Sequence, residues 1–228
     1  MFFEGDFYMK KKVFLIILVV VLIIFTIAVC TYVRRYNLLK NIGNAEINFT
    51  VSDNFYFENI QNDLTSQKLY VKKNKSARYS LTNNSITQRF YIDTRSNTMT
   101  VVDELNKNYF ITNMQTVVGN KGLSNLPEIS NYAIAIASNE YNFKSAFGII
   151  LSLHNISTEK DGDIEYIKVS LIEKEKNYKE TVWLNKATLL PVKAEIGNDI
   201  RNYVFEKDNV TDENVNFAEA NQYTLVEQ

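Results

Sequence analysis

Few side chains in this sequence can act as nucleophiles, acids, bases or metal ligands. His154 is the only imidazole and Cys30 the only thiol. A single histidine excludes a His-rich zinc site, and a Ser-His-Asp arrangement could use only His154. No motif flanks that histidine, so the sequence favours a helix-end or surface position for it. Cys30 lies in an apolar run, where it cannot serve as a conventional nucleophile.

Carboxylates are the other source of acid–base chemistry or metal binding. Asp161, Asp163 and Glu165 in EKDGDIEY suggest a calcium loop, but the remaining ligand positions of such a loop are missing. Asp161 and Gly162 between two strands predict a hairpin turn instead. Phosphate-binding and nucleophile-elbow motifs are absent, so the sequence predicts no catalytic residue, metal or cofactor. A hydrolase that uses Asp and Glu without a recognisable motif ranks third among three hypotheses for the function.

The stretch ETVWLNKATLLPVKAEI holds the only Trp, Trp183, and one of two Pro residues, Pro191. Apolar and polar residues alternate on both sides of a polar segment at 185–188, which predicts two half-buried strands joined by a turn. Proline fits the first position of a returning strand. The sequence therefore predicts a β-hairpin with Trp183 and Pro191 as structural anchors, and we expect the indole to pack where the strands meet a helical layer.

Alternation continues through most of the chain after residue 45, and Tyr, Phe, Ile, Val and Thr favour strands. A loop is predicted over 119–130, and one or two helices over Asn131–Leu153 with a break near Ser138 or Asn142. The order sheet, helices, sheet predicts an α+β fold, mainly β, with one long antiparallel sheet and helices over one face. The predicted strands outside the hairpin are Ile47–Val51, Leu69–Lys73, Ala77–Thr82, Ile86–Asp93, Met99–Asp103, Asn108–Thr112, Ile164–Ile172 and Asn202–Glu206.

An uncharged apolar run of 21 residues spans 13–33 and would form a helix of about 31 Å, close to the thickness of a bilayer core. Three lysines precede it and two arginines follow, so the predicted orientation is N-terminus in. We expect an uncleaved transmembrane anchor first. Lipidation at Cys30 is the second alternative. It ranks below the anchor because a lipid-attachment site needs a small residue before the cysteine, and that residue here is Val29. A cleaved signal peptide fits less well, since the run is long and lacks a clean cleavage site.

These patterns predict a cytoplasmic N-terminus at 1–12, the anchor at 13–33, a connector at 34–44 and an extracytoplasmic domain at 45–228. A formal net charge of -1 makes nucleic acid an improbable partner.

The hairpin and its surroundings resemble the LolA-like superfamily of lipoprotein carriers and their Gram-positive relatives. The order of elements is similar over about residues 45–228, and the motifs over 164–226. Within the superfamily, the tether, the length and the Asn- and Lys-rich composition most resemble the clostridial spore germination protein GerS and its relatives. The residues that carry the resemblance are Trp183, Leu184, Asn185, Leu190, Pro191 and Val192–Ile196, followed by Phe217, Tyr223, Leu225 and Val226.

The resemblance implies a curved half-barrel sheet with helices over one face. It also implies a non-enzymatic protein outside the forespore membrane that supports spore cortex modification and germination by binding a CwlD-like N-acetylmuramoyl-L-alanine amidase. The alternative is a lipid or lipoprotein binder or envelope sensor that uses an apolar cavity. A permanent tether argues against a shuttling carrier. The resemblance does not indicate which residues bind the partner.

Overall fold

The computed structural model describes residues 3–113, 123, 125–141 and 143–227 of the chain. The described residues form four α-helices, which are α1 (Phe3–Thr50), α2 (Glu128–Ala137), α3 (Phe143–Ser152) and α4 (Asp212–Val215). Its strands are β1 (Asn54–Gln61), β2 (Thr65–Lys72), β3 (Lys75–Thr82), β4 (Ser85–Asp93), β5 (Thr98–Asp103), β6 (Asn108–Asn113), β7 (Leu153–Asp161), β8 (Ile164–Glu173), β9 (Tyr178–Asn185), β10 (Pro191–Ile196), β11 (Asp199–Lys207) and β12 (Thr224–Leu225).

All twelve strands form one open sheet in the order β12-β6-β5-β4-β3-β2-β1-β11-β10-β9-β8-β7. Hairpins connect β1 through β6 and β7 through β11, and the pairing of β1 with β11 joins these two series. The predicted order of sheet, helices and sheet is confirmed. The prediction of a purely antiparallel sheet is wrong at one edge, because β12 runs parallel to β6.

Helix α1 is 48 residues long, or about 72 Å. Its N-terminal part contains a window with a mean hydropathy of 3.6, which is apolar enough to cross a membrane. A membrane anchor and a signal sequence both fit such a helix.

The other end of α1 belongs to the core. Leu39, Ile42 and Phe49 are fully or almost fully buried, and their spacing is that of one helical face. The predicted connector at 34–44 is therefore a packed helical segment, and the predicted strand Ile47–Val51 is wrong because the helix continues through Thr50.

One face of the sheet packs against α1, α2 and α3. Phe55, Phe57 and Val71 from the first strands and Val182 and Leu184 from β9 are buried there with the helical side chains. We call this the helix-covered face and the other one the opposite face. The alternation of buried and exposed residues along each strand assigns neighbouring side chains to the two faces.

Helices α2 and α3 confirm the predicted helical region, and the break falls at 138–141, where the N–H of Ser138 bonds to the carbonyl of Ile134. Asn142 lies outside the described residues, as do residues 119–122 and 124 of the predicted loop at 119–130. The prediction of a loop is wrong at the last three of these positions, because α2 begins at Glu128. Strands β1 and β7 were not predicted. The β1 sequence NFYFENIQ alternates well but directly follows Ile47–Val51, which also alternates and belongs to α1. The alternation in β7 is interrupted by an irregular pairing between His154 and Ser157.

A carboxylate from the sheet caps helix α2. Pro127 at the cap position has no side-chain acceptor, and Glu180 on β9 accepts hydrogen bonds from the backbone N–H groups of Glu128 and Ile129, both at 3.0 Å. Tyr178 donates a third hydrogen bond at 3.2 Å. Burial raises the pKa of Glu180, and these three hydrogen bonds act in the opposite direction. The sheet thereby satisfies donors that a helix N-terminus leaves open.

Replacing this cap should loosen α2. We expect Glu180→Ala to lower the free energy of unfolding by about 2 kcal/mol, because two N–H groups lose their acceptor in a buried setting. Urea unfolding of the full chain in a mild detergent, followed by the fluorescence of its single Trp, measures this. The exposed Glu175→Ala serves as control and should change stability by less than about 0.5 kcal/mol. Equal effects of the two variants would contradict the capping role.

Candidate functional site

The opposite face of the sheet is divided into two regions. Over β2 to β6 it is covered by the C-terminal segment, in which Phe217 and Tyr223 pack against tyrosines of the sheet. Over β7 to β11 it carries partly exposed side chains around Trp183. We call this second region the Trp183 face and define it by Glu159, Tyr166, Lys168, Trp183, Lys193 and Asn202.

The register of β9 decides where the indole lies. Trp183 pairs with Lys168 of β8 and Lys193 of β10, while its neighbours Val182 and Leu184 are fully buried on the helix-covered face. The indole therefore lies away from the helical layer. The expectation that it packs against the helices is not met, because strand alternation places it on the side opposite to Val182 and Leu184.

Trp183 is held by charged neighbours. Its Nε1 donates to Glu159 Oε2 at 2.9 Å, and Lys168 Nζ donates to the other oxygen of that carboxylate at 2.9 Å. The Nζ atoms of Lys168 and Lys193 each lie 4.8 Å from the ring centre. Such cation–π contacts stabilise exposed rings by roughly 0.5–1 kcal/mol each. The hydrogen bonds from Lys168 and Trp183 lower the pKa of Glu159, which keeps it ionised at neutral pH.

A hollow of about 400 Å³ lies beside the indole. Tyr166 and Trp183 supply aromatic surface, Asn202 an amide, and Asp161 and Lys193 opposite charges. The hollow combines the apolar surface of its two aromatic rings with polar and charged groups. Glu159 and Lys160 also line the hollow, so charged groups surround the two aromatic rings. Trp and Tyr are frequent anchors of protein–protein contacts, whereas charged groups belong to the rim of such contacts.

The neighbouring strand β7 adds backbone groups to this region. Among the described strands it has a neighbour on one side only, β8. Glu159, which binds the indole, is one of its residues. An outer strand can pair with an extended segment of another chain. The Trp183 face and the β7 edge therefore form one continuous surface.

The hairpin turn forms as predicted. Asn185 Oδ1 accepts hydrogen bonds from the N–H groups of Ala187 and Thr188 at 2.9 and 3.1 Å, and Pro191 is the buried first residue of β10. A register shift follows between Pro191 and Lys193. Pro191 thus starts the returning strand where a missing N–H is tolerated.

Two C-terminal residues that carry the family resemblance, Phe217 and Tyr223, pack the last segment of the chain against the sheet. Arg89 of β4 is buried, forms an ion pair with Glu104, and donates to Glu219 at 3.1 Å and to the Tyr223 hydroxyl at 2.8 Å. The ring of Phe217 lies 5.4 Å from that of Tyr223. Sequence reasoning did not single out Arg89, and no local signal marks it, because these three partners are far from it along the chain.

The other residues considered from the sequence lie apart from one another. His154 is the second residue of β7 and half-buried. Asp161 ends β7 and Gly162, with φ of +57°, forms the predicted turn into β8. Cys30 is exposed on the apolar part of α1. Across the described residues, no group of three or more His, Cys, Asp or Glu side chains is placed to hold a metal ion.

A buried carboxyl lies on the far side of the sheet from Trp183. Glu46 of α1 is fully buried, and among the described residues neither of its carboxyl oxygens has a hydrogen-bond partner. Burial raises its pKa to about 8. The nearby Ser130 hydroxyl of α2 has the opposite effect on this pKa, although it forms no hydrogen bond with the carboxyl. Glu46 is therefore mainly protonated at neutral pH. Its role lies in the packing of α1, and it does not contribute to the Trp183 face.

Comparisons with known proteins give no family. No family model matches the chain, and no curated protein matches it. Similar solved structures include an uncharacterized conserved protein from Thermus thermophilus, with 8% identity, a TM-score of 0.43, and coverage of 84% of this chain and 98% of that one. PNGF-II has 10% identity and a TM-score of 0.30 over 76% of this chain and 30% of its own.

Proposed function

We propose that this protein is a non-enzymatic, membrane-anchored binding protein whose partner docks outside the cytoplasm on the Trp183 face. One observation carries the proposal, the placement of the only indole on the exposed side of the sheet. A Trp on that side contributes nothing to the core. At interfaces, a partly exposed Trp surrounded by polar groups is a frequent source of binding energy.

The anchor supports the location. Helix α1 runs without a break from the apolar run into the core, where Leu39 and Ile42 are buried. Such a helix holds the sheet at a fixed short distance from the membrane. Lys10, Lys11 and Lys12 before the apolar run favour the cytoplasmic side for the N-terminus, so the sheet lies outside.

The resemblance to the LolA-like superfamily supplies the partner. We infer that the sheet is the half-barrel of that superfamily, and that the partner is an exported CwlD-like N-acetylmuramoyl-L-alanine amidase acting on the spore cortex. The location would then be the forespore membrane. An amidase partner requires a docking surface on this chain and no catalytic group.

The packing between the layers favours this proposal over the lipid or lipoprotein binder. A carrier of that type needs an open apolar space between helices and sheet. Ile42 of α1, Ile129 of α2 and Phe57 of β1 fill the centre of this space together with the other members of one continuous core, and the opening that is left between α1 and the sheet lies at the sheet's edge, beside β7 and β8. These side chains leave the Trp183 face as the better candidate for recognition.

Binding measurements test the proposal. We expect the full chain in lipid nanodiscs to bind the purified amidase, and Trp183→Ala to raise the Kd by about thirtyfold, the effect of losing an anchor that contributes about 2 kcal/mol. The control is Leu105→Ala, which removes a side chain that is 78% exposed, outside the Trp183 face. Equal affinities of the two variants would refute docking at Trp183. Failure of the unchanged chain to bind would refute this partner.

A further inference from the structure

An open cleft of about 930 Å³ lies between α1 and the last strands of the sheet. Its walls come from one side of α1, from β7 and β8, and from the turn between β9 and β10. It is separate from the Trp183 face, because Ile167, which lines it, pairs with Leu184 on the helix-covered side of the sheet. Its volume lies within the range of sites that take ligands of several hundred daltons.

The position of the cleft along α1 is informative. Val29, Cys30 and Val33 line it and belong to the apolar run at 13–33. If this run spans a bilayer core of about 30 Å, these residues lie at its outer boundary, where acyl chains meet headgroups. The cleft therefore opens sideways to the lipid at one end and to water at the other.

The chemistry of the walls changes along the cleft in the same direction. Arg34 and Asn37, which follow the apolar run along α1, line the cleft together with Thr158 of β7 and Lys186 from the β9–β10 turn. Arg34 is exposed and forms no ion pair within the described part of the chain. Lys186 bonds to Glu165 at 2.6 Å, and no carboxylate is among the described residues that line the cleft. Two cations beside amide and hydroxyl groups suit a phosphate.

We infer that this cleft binds one anionic phospholipid of the surrounding membrane, with its phosphate between Arg34 and Lys186 and an acyl chain along Val29, Cys30 and Val33. The lipid fills the space between the anchor and the sheet edge. It therefore fixes the tilt of the domain relative to the membrane. The inference rests on the proposed membrane anchor and does not depend on the identity of the protein partner.

The single cysteine gives a direct measure of occupancy. The full chain is purified in a mild detergent, phosphatidylglycerol or phosphatidylcholine is added, and the rate of maleimide reaction at Cys30 is followed. Native mass spectrometry counts the retained lipids. We expect one retained phosphatidylglycerol and slower labelling of Cys30 with it than with phosphatidylcholine. Equal protection by both lipids would overturn the inference, and so would saturation of the site by inorganic phosphate alone.

Variants locate the phosphate. The double variant Arg34→Gln with Lys186→Gln should bind phosphatidylglycerol about thirtyfold more weakly, since each surface cation strengthens binding to anionic lipid by roughly fivefold. Lys73→Gln with Arg95→Gln removes the same charge from turns at other strands and should leave binding unchanged. Equal losses in both double variants would overturn the assignment. The comparison of the two lipids on the unchanged chain tests it independently of how the variants fold.

Discussion

Gly43→Ala should destabilise the fold by about 3 kcal/mol and displace helix α2. A Cβ atom at position 43 would lie 2.0 Å from the carbonyl oxygen of Ala133 and 2.8 Å from the Cβ of Ala137. The first of these is backbone, so relief requires the two helices to separate. Overpacking of this kind costs roughly 1–3 kcal/mol, and it also outweighs the better helix propensity of alanine.

Gly148→Ala provides the matched control. Gly148 is also helical, in α3, but an added Cβ there meets nothing within 4 Å. The same substitution should therefore stabilise the chain by about 0.5–1 kcal/mol. Thermal unfolding of both variants, followed by far-UV circular dichroism in the same detergent, shows whether each substitution raises or lowers the stability. A loss of stability in both, or in neither, would contradict the close crossing of α1 and α2 at Gly43.

Glu46→Gln should stabilise the protein at neutral pH by about 3 kcal/mol. The pKa of this carboxyl is about 8 in the folded chain and near 4.5 without burial. Because the folded state binds the proton more tightly, the free energy of unfolding is highest below pH 4.5 and falls as the pH rises toward 8. The loss is about 1.4 kcal/mol per pH unit within this window. Glutamine has a similar shape and does not ionise, so it removes this loss.

The measurement is urea unfolding of both chains at several values between pH 4.5 and 8. The stability difference between Glu46→Gln and the unchanged chain should be close to zero at pH 4.5 and grow steadily with pH. Glu175→Gln, at an exposed position, should leave the pH profile as it is. A constant difference over the whole range would mean that Glu46 is not protonated on folding.

The strands and the central helices could be predicted because their signals are local. Alternation over Ala77–Thr82 and the Asn185 turn depend on neighbouring residues only. The end of α1 was missed for the opposite reason. The stretch after residue 45 alternates over a few residues, but its helical form is stabilised by Phe49 packing against Phe55 at 4.9 Å and by the contact of α1 with α2.

The candidate site was only half predictable. The sequence marks Trp183 through its rarity and places it in a hairpin, but the face that an indole occupies depends on which set of alternating residues meets the helices. Val182 and Leu184 occupy the core, so Trp183 cannot. The clustering of Glu159, Lys168 and Lys193 around the ring depends on the register of four strands. That register is a property of the whole sheet and leaves no local trace.

The most direct test of docking on the Trp183 face is site-specific photo-crosslinking in sporulating cells. A photoreactive residue at Asn202, which lines the hollow beside the indole, should form an adduct with the proposed amidase partner. The same residue at the exposed Leu105 should form none. Adducts with the amidase from position 105 and not from position 202 would contradict the account.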